Sequence, residues 1–362
     1  QDGLCFFPVS NVTGEGIENV RSNLEEAVQH LNYVNQNVPL KWLYFLHLLQ
    51  KDPLVKRIYL NEAYVLGRKA GIKGNDEVLE CLNMFHNLGL IIFLNNTENL
   101  RNVITLDPQW LADALSCVIR DVNVHEVDYE KLVENGLHDE FVTLHESGIA
   151  SRDLLQCLWG EDLLDENDFL IDLMRITLLA SDWNFDGQTN LFLIPNLVSR
   201  DDIKPEKAFA GHDVAEFRFD FTGSFLPIGV FERLVCMCVT YSGRTKAREP
   251  EVAKSAYKIW FEEDMVFQIQ RDSSTIGITV TPAHKASNCS IILRSMIQKL
   301  WVDINGENVK WVQMLKCDNH FLSYEKAKSK QVHPWFHAKQ LDDDEEKRKK
   351  LSVKFDIDNL RL

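Results

Sequence analysis

The sequence predicts an α+β chain: a tandem of winged-helix-like helical units, followed by a mixed sheet with covering helices. Three observations carry that expectation. Apolar residues recur at helical spacing through much of the first half, whereas 216–221 alternates strictly, with Phe217, Phe219 and Phe221 on one face. The order helix, turn, helix, two strands is readable twice before residue 200. And 362 residues exceed what one core ordinarily serves, so two or three domains are expected.

The first element is FFPVSNVTGEGI, Phe6 to Ile17. Leu4 to Val9 reads as a strand, and a helix from Ile17 to Leu31 carries Val20, Leu24, Ala27, Val28 and Leu31 at helical spacing. A strand running through a Gly-rich turn into a helix can offer N–H groups to an anion. A phosphate loop, however, needs Gly, four residues, then Gly-Lys-Ser/Thr. Gly14 and Gly16 are followed by Ile17 and Glu18, and that spacing occurs nowhere else in the chain. A plain strand–helix junction is the better reading. One strand and one helix cannot bury a core, so the partners of residues 1–35 are expected upstream of them.

From 36 to 200 the helical units follow. Pro39 stands where a first-turn proline is tolerated, ahead of Trp42, Phe45, Leu46 and Leu49 on one face. Leu60 to Ala70 is helical and Gly71 turns. Asp76 to Leu88 is helical again, stopped by Gly89. Strands are expected at 90–94 and 102–106 around Asn95-Asn96-Thr97, and Asp107-Pro108 supplies an N-cap and first-turn proline for a helix to Ile119. The order then recurs: helices from Ser151 and from Asp165 or Asp168 to Met174, then strands 176–181 and 190–194 across Asn184–Gly187.

Residues 201–330 change character. After 216–221, a helix is expected from Pro227, strands at 256–261, 266–271 and 276–281, a helix at about 290–302, the Asn305-Gly306 turn and a strand at 309–315. The tail, 331–362, carries an acidic block and then a basic one between Lys339 and Lys350, most simply a solvated helix.

Composition narrows the function. An apolar fraction of 45% with 26% charged residues is that of a globular protein. The net charge of −15 argues against a broad nucleic-acid surface. The candidate recognition helix, DEVLECLNMFHNL, carries three acids and no Lys or Arg, which argues against DNA. Neither an eighteen-residue apolar window nor a signal peptide is readable, and the eight cysteines are scattered singly, so the expected compartment is the cytoplasm. No G-x-S-x-G elbow or Cys/His arrangement suggests nucleophilic catalysis. Cys317, His320, His333 and His337 have zinc-finger-like spacing, but the intervening FLSYEKAKSKQV lacks a finger core, so no metal is expected and this set stays a weak candidate.

Several stretches, in order, resemble the COR region of Roco proteins, in which a Ras-like Roc GTPase is followed by COR. They are MFHNLGLIIFL at 84–94 with ITLDPQWLADAL at 104–115, FLIPNLV at 192–198, and FDFTGSFLPIGVFERLV at 219–235. The resemblance covers about residues 40 to 315, and the animal type with leucine-rich repeats and no kinase looks nearest. It implies that 1–35 is the last strand and helix of Roc, that 36–200 is COR-A and 201–330 is COR-B. Ser10, Asn11 and Val12 would then lie at the rim of a guanine nucleotide. GTP or GDP with Mg²⁺ would belong to the complete parent, a GTPase with or without a kinase, whereas this fragment would need no cofactor and catalyse nothing.

The resemblance further implies that COR links the GTPase to the rest of a signalling protein, contacts its own Roc through the first half and forms a homodimer through the second. The apolar group Phe225, Pro227, Ile228, Phe231 and Leu234 is the candidate dimer interface. Filling the core of the sheet domain is an equal alternative for the same residues. A monomeric winged-helix scaffold for other signalling proteins is the competing function.

Overall fold

In the computed structural model the described residues are 6–29, 37–119, 129–185, 187–200, 209, 211–245, 248–303, 310–318 and 320–336. They fall into two compact units, Gln1–Val55 with Asn61–Leu88, and Lys56–Leu60 with Gly89–Leu362.

In the first unit, residues 6–9 form no strand, against expectation. A strand exists by pairing, and no described segment pairs with them. Helix α1 (Ile17–Gln29) follows and buries none of its side chains. Helices α2 (Leu40–Leu49), α3 (Leu60–Lys69) and α4 (Asn75–Asn87) match the sequence reading. Phe45 and Phe85 meet at 6.2 Å between ring centroids, with Leu49, Cys81 and Leu82 buried. The Trp42 indole donates to Glu77 at 3.0 Å, and Lys41 pairs with the same carboxylate at 2.5 Å. Gly67 is required by closeness: a Cβ there would lie 2.6 Å from a methyl of Val78, so α3 and α4 touch backbone to side chain.

In the second unit, β1 (Arg57–Tyr59), β2 (Ile92–Phe93) and β3 (Val103–Thr105) form an antiparallel sheet in the order β1-β3-β2. Between β2 and β3 a short helix not expected from sequence, α5 (Glu98–Asn102), is capped by Thr97, whose hydroxyl accepts from Leu100 N–H at 3.2 Å. Asp107 caps α6 (Pro108–Ser116) as its sequence signal implied. Then come α7 (Tyr129–Glu134), α8 (His138–Ser147), β4 (Ile149–Ser151), α9 (Arg152–Trp159), a 3-10 turn (Glu161–Glu166) and α10 (Asn167–Ile176). β5 (Ser181–Asp182) and β6 (Leu191–Leu193) complete a second small sheet, β4-β6-β5. The strand expected from Ile176 is shortened because α10 runs through that residue and Leu178 then takes a left-handed φ of 57°.

The large sheet is antiparallel throughout, in the order β13-β12-β7-β11-β10-β9-β8. Its strands are β7 (Ala215–Asp220), β8 (Glu251–Val252), β9 (Ala256–Glu262), β10 (Met265–Arg271), β11 (Thr275–Thr281), β12 (Val312–Cys317) and β13 (His320–Ser323). Register aligns Phe217 with Ile278 and Phe219 with Ile276, which puts their side chains on one face. That face is covered by α11 (Val230–Arg244) and α12 (Ala286–Asp303) in a single core with Phe231, Leu234, Leu293 and Ile297, which also takes in Trp183, Phe185, Leu193 and Val198. A last helix, α13 (Tyr324–Ser329), follows β13. The Asn305-Gly306 turn and the charged stretch 339–350 lie outside the described residues.

Among the described residues no helix is long and apolar enough to cross a membrane. Cys81, Cys236, Cys238 and Cys289 are buried, and burial pushes the thiols of Cys81 and Cys236 up to about 12. At pH 8 the folded chain is therefore expected to take iodoacetamide at the half-buried Cys117 and Cys157 before these four. Peptide mass spectrometry of short labelling times reads the order, and early labelling of Cys236 would contradict the packing of α11.

Candidate functional site: an apolar turn and a buried ion pair

The sequence groups Phe225, Pro227, Ile228, Phe231 and Leu234 together, but the structure splits them. The helix expected from Pro227 starts only at Val230, because Gly229 sits at φ 84° and turns the chain first. Phe231 and Leu234 point into the core and are 1% and 0% exposed. Phe225 and Ile228 point outward at 60% and 105% exposure, with Pro227 half-buried between them. The outward turn borders a cleft of about 380 Å³ whose far side is the β10–β11 hairpin, Arg271 to Ser273. Arg271 pairs there with Glu232 and lies 5.3 Å over the Phe231 ring, so a cation and an exposed apolar pair stand side by side.

Ser10, Asn11 and Val12, which the family resemblance would put at a nucleotide's rim, lie on one tight turn. Ser10 closes it, donating N–H to Glu15 carbonyl at 3.0 Å and accepting from Gly14 N–H at 2.8 Å, while its hydroxyl accepts from Thr13 N–H at 3.2 Å. Asn11 and Val12 at its tip are exposed. A Cβ on Gly16, at φ 78°, would fall 2.0 Å from the Pro8 carbonyl, so only glycine closes this corner. The corner lacks the sequence of a phosphate loop.

Of the Cys/His set, Cys317 is buried, its thiol donating to Leu315 carbonyl at 3.6 Å, and burial pushes that thiol up. His320 is its cross-strand neighbour, and both His320 and His333 are exposed. His337 lies outside the described residues. Among the described residues no three His, Cys, Asp or Glu side chains converge as metal ligands do.

Sequence reasoning misses a second site. The carboxylate of Glu166, at the end of the 3-10 turn, has no exposure. It accepts from Arg57 Nε at 2.5 Å and from the Tyr59 hydroxyl at 2.7 Å. Those two side chains share one face of β1 because they are two apart. The Arg57 guanidinium lies 5.0 Å over Trp110, which stacks on Phe169 at 6.4 Å. Burial, and then the bond to Glu166, push the Tyr59 hydroxyl up to about 12, so it remains a donor.

A family model described as "C-terminal of Roc, COR-A domain" matches residues 39–198. Residues 39–198 of the chain thus carry a COR-A domain. Among the similar proteins, the probable serine/threonine-protein kinase pats1 of Dictyostelium discoideum is 21% identical over 294 residues, 78% of this chain and 8% of that protein. The probable serine/threonine-protein kinase qkgA of the same organism is 25% identical over 201 residues, 51% of this chain and 11% of that one. The chain thus spans about a tenth or less of the length of these curated relatives. The Roco2 RocCORdC structure of Methanosarcina barkeri bound to GDP is 15% identical, with a TM-score of 0.39 over 53% of this chain and 54% of that chain. A likeness of that size carries no argument about the site. The residues matched as COR-A run from just before α2 to just after β6, and the α+β character agrees with the sequence reading.

Proposed function

We propose that this chain is the COR module of a larger Roco protein, without catalysis of its own. It couples a neighbouring Roc GTPase to the rest of a cytosolic signalling protein and pairs with a second copy through the second half. The exposed pair Phe225 and Ile228 carries the pairing part of that reading. A large apolar side chain held fully outside the fold loses hydrophobic free energy that a partner surface recovers, and aromatic anchors dominate such contacts. The Ser10–Val12 corner is the rim of the nucleotide site. The phosphate contacts, GTP or GDP and Mg²⁺ belong to the parent protein, since the sequence of this chain holds no phosphate loop.

Sedimentation equilibrium over a concentration series tests the pairing. The wild-type chain is expected to approach twice its monomer mass as concentration rises, and Phe225→Asp with Ile228→Asp to remain monomeric with an unchanged circular dichroism spectrum. The burial of Phe231 and Leu234 supports the competing reading, a monomeric scaffold for other signalling proteins. A wild-type chain that stays monomeric throughout would favour it.

A further inference from the structure

Arg294, on α12, is a cation short of acceptors. Its side chain is only 21% exposed, and its Nε and Nη1 are buried with no hydrogen-bond partner among the described residues. Its remaining nitrogen lies 4.0 Å from the Glu325 carboxylate, beyond hydrogen-bond reach, and Glu325 itself is largely exposed. The guanidinium is held in place all the same, because it lies 4.0 Å over the Tyr324 ring at the start of α13. Exposed Lys326, Lys328 and Lys330 continue the positive charge along α13 and the residue after it. Guanidinium N–H groups left buried without an acceptor cost more than neutral ones, so this position calls for a carboxylate.

The sequence supplies carboxylates close by. The Trp335 carbonyl accepts from the Ser287 hydroxyl at 2.9 Å, and Ser287 lies seven residues, two turns, before Arg294 on the same face of α12. Phe336, the last described residue, meets the Tyr324 ring at 5.5 Å between centroids, and that ring is the one beneath Arg294. The described fold therefore hands the chain on beside Arg294. The run Asp342-Asp343-Asp344-Glu345-Glu346 begins six residues later, a reach of at most about 20 Å. With a net charge of −15 the protein as a whole repels five successive acids, whereas the cations of α12 and α13 attract them. We propose that Asp342–Glu346 docks on Arg294 and the α13 lysines of its own chain. The surface is a recognition site for consecutive carboxylates, and the chain fills it in cis as a clasp over α12 and α13.

Zero-length carbodiimide crosslinking of the full chain, read by peptide mass spectrometry, tests the clasp. Crosslinks from 342–346 to Lys326, Lys328 or Lys330 are expected in the monomer band of a denaturing gel, with an initial yield that falls as salt rises. A run that is merely tethered nearby would also meet those lysines, so the deciding comparison is Arg294→Gln. It is expected to lower the yield about tenfold with an unchanged circular dichroism spectrum. Arg294→Lys keeps the charge and loses the fork, and should fall between the two. Should Arg294→Gln fail to fold, neutralising the run itself decides, with Asp342→Asn, Asp343→Asn, Asp344→Asn, Glu345→Gln and Glu346→Gln combined. Hydrogen exchange at 324–329 is then expected to rise about fivefold while 265–281 stays unchanged. Equal crosslinking in wild type and Arg294→Gln, or indifference of 324–329 to the neutral run, would overturn the clasp. Crosslinks confined to the dimer band would overturn it too, because a second copy would then supply the acids.

Discussion

Phe231→Asp is expected to unfold the sheet region of the second unit rather than to separate two copies of the chain. Phe231 is 1% exposed at the first turn of α11, 6.0 Å from the Tyr257 ring and beneath the Arg271 guanidinium. Truncating a buried phenylalanine to alanine typically costs about 3–5 kcal/mol. Aspartate adds the desolvation of a carboxylate among Leu234, Val235 and Tyr257, against a total stability on the order of 5–15 kcal/mol for an ordinary domain. Arg271 stands close enough to offer a partner, but it already pairs with Glu232. Phe225→Asp, six residues away and largely exposed, should shift the urea midpoint by no more than the ~0.5 kcal/mol usual at a surface. Urea unfolding followed by circular dichroism compares the two. A Phe231→Asp chain that melts like the wild type but no longer pairs would put Phe231 in an interface and would refute the packing of α11.

The contrast between these neighbours explains what the sequence reveals and what it hides. Periodicity finds elements whose side chains face one core over several turns or pleats. Phe217, Phe219 and Phe221 alternate into the core, and the expected strands at 256–261, 266–271 and 276–281 appear within a residue of their predicted ends. Periodicity fails where a single backbone angle changes the direction of the chain. A helix begun at Pro227 would set Pro227, Phe231 and Leu234 on one face, which is why sequence reading joins them. Gly229 at φ 84° breaks that phase, leaving Ile228 outside and Phe231 inside. Short strands such as β4, β8 and β13 carry two to four residues and too little pattern to read. Of the apolar turn and the Glu166 ion pair, only the turn is partly legible in the sequence. The apolar turn at Phe225 and Ile228 stood out as an apolar group, whereas Glu166 reads as one more acid in the run Glu161–Glu166, because its partners stand 109 and 107 residues earlier.

That distance also allows the largest prediction about the first half of the chain. Arg57→Met is expected to cost about 3–5 kcal/mol, because it leaves the Glu166 carboxylate buried with only the Tyr59 hydroxyl to answer it. Methionine keeps an unbranched apolar stem against Trp110, so lost packing contributes little to that figure. Glu166→Gln combined with Arg57→Met should recover most of the loss. The desolvation cost of a buried pair nearly cancels its attraction, so removing both charges costs far less than removing one. The double-mutant cycle, read from urea midpoints, therefore separates two accounts of the same geometry. A large coupling energy, with the double variant close to wild type, means that charge compensation holds β1 in place. Additive losses would mean that β1 is held by the guanidinium's packing and that Glu166 is a bystander.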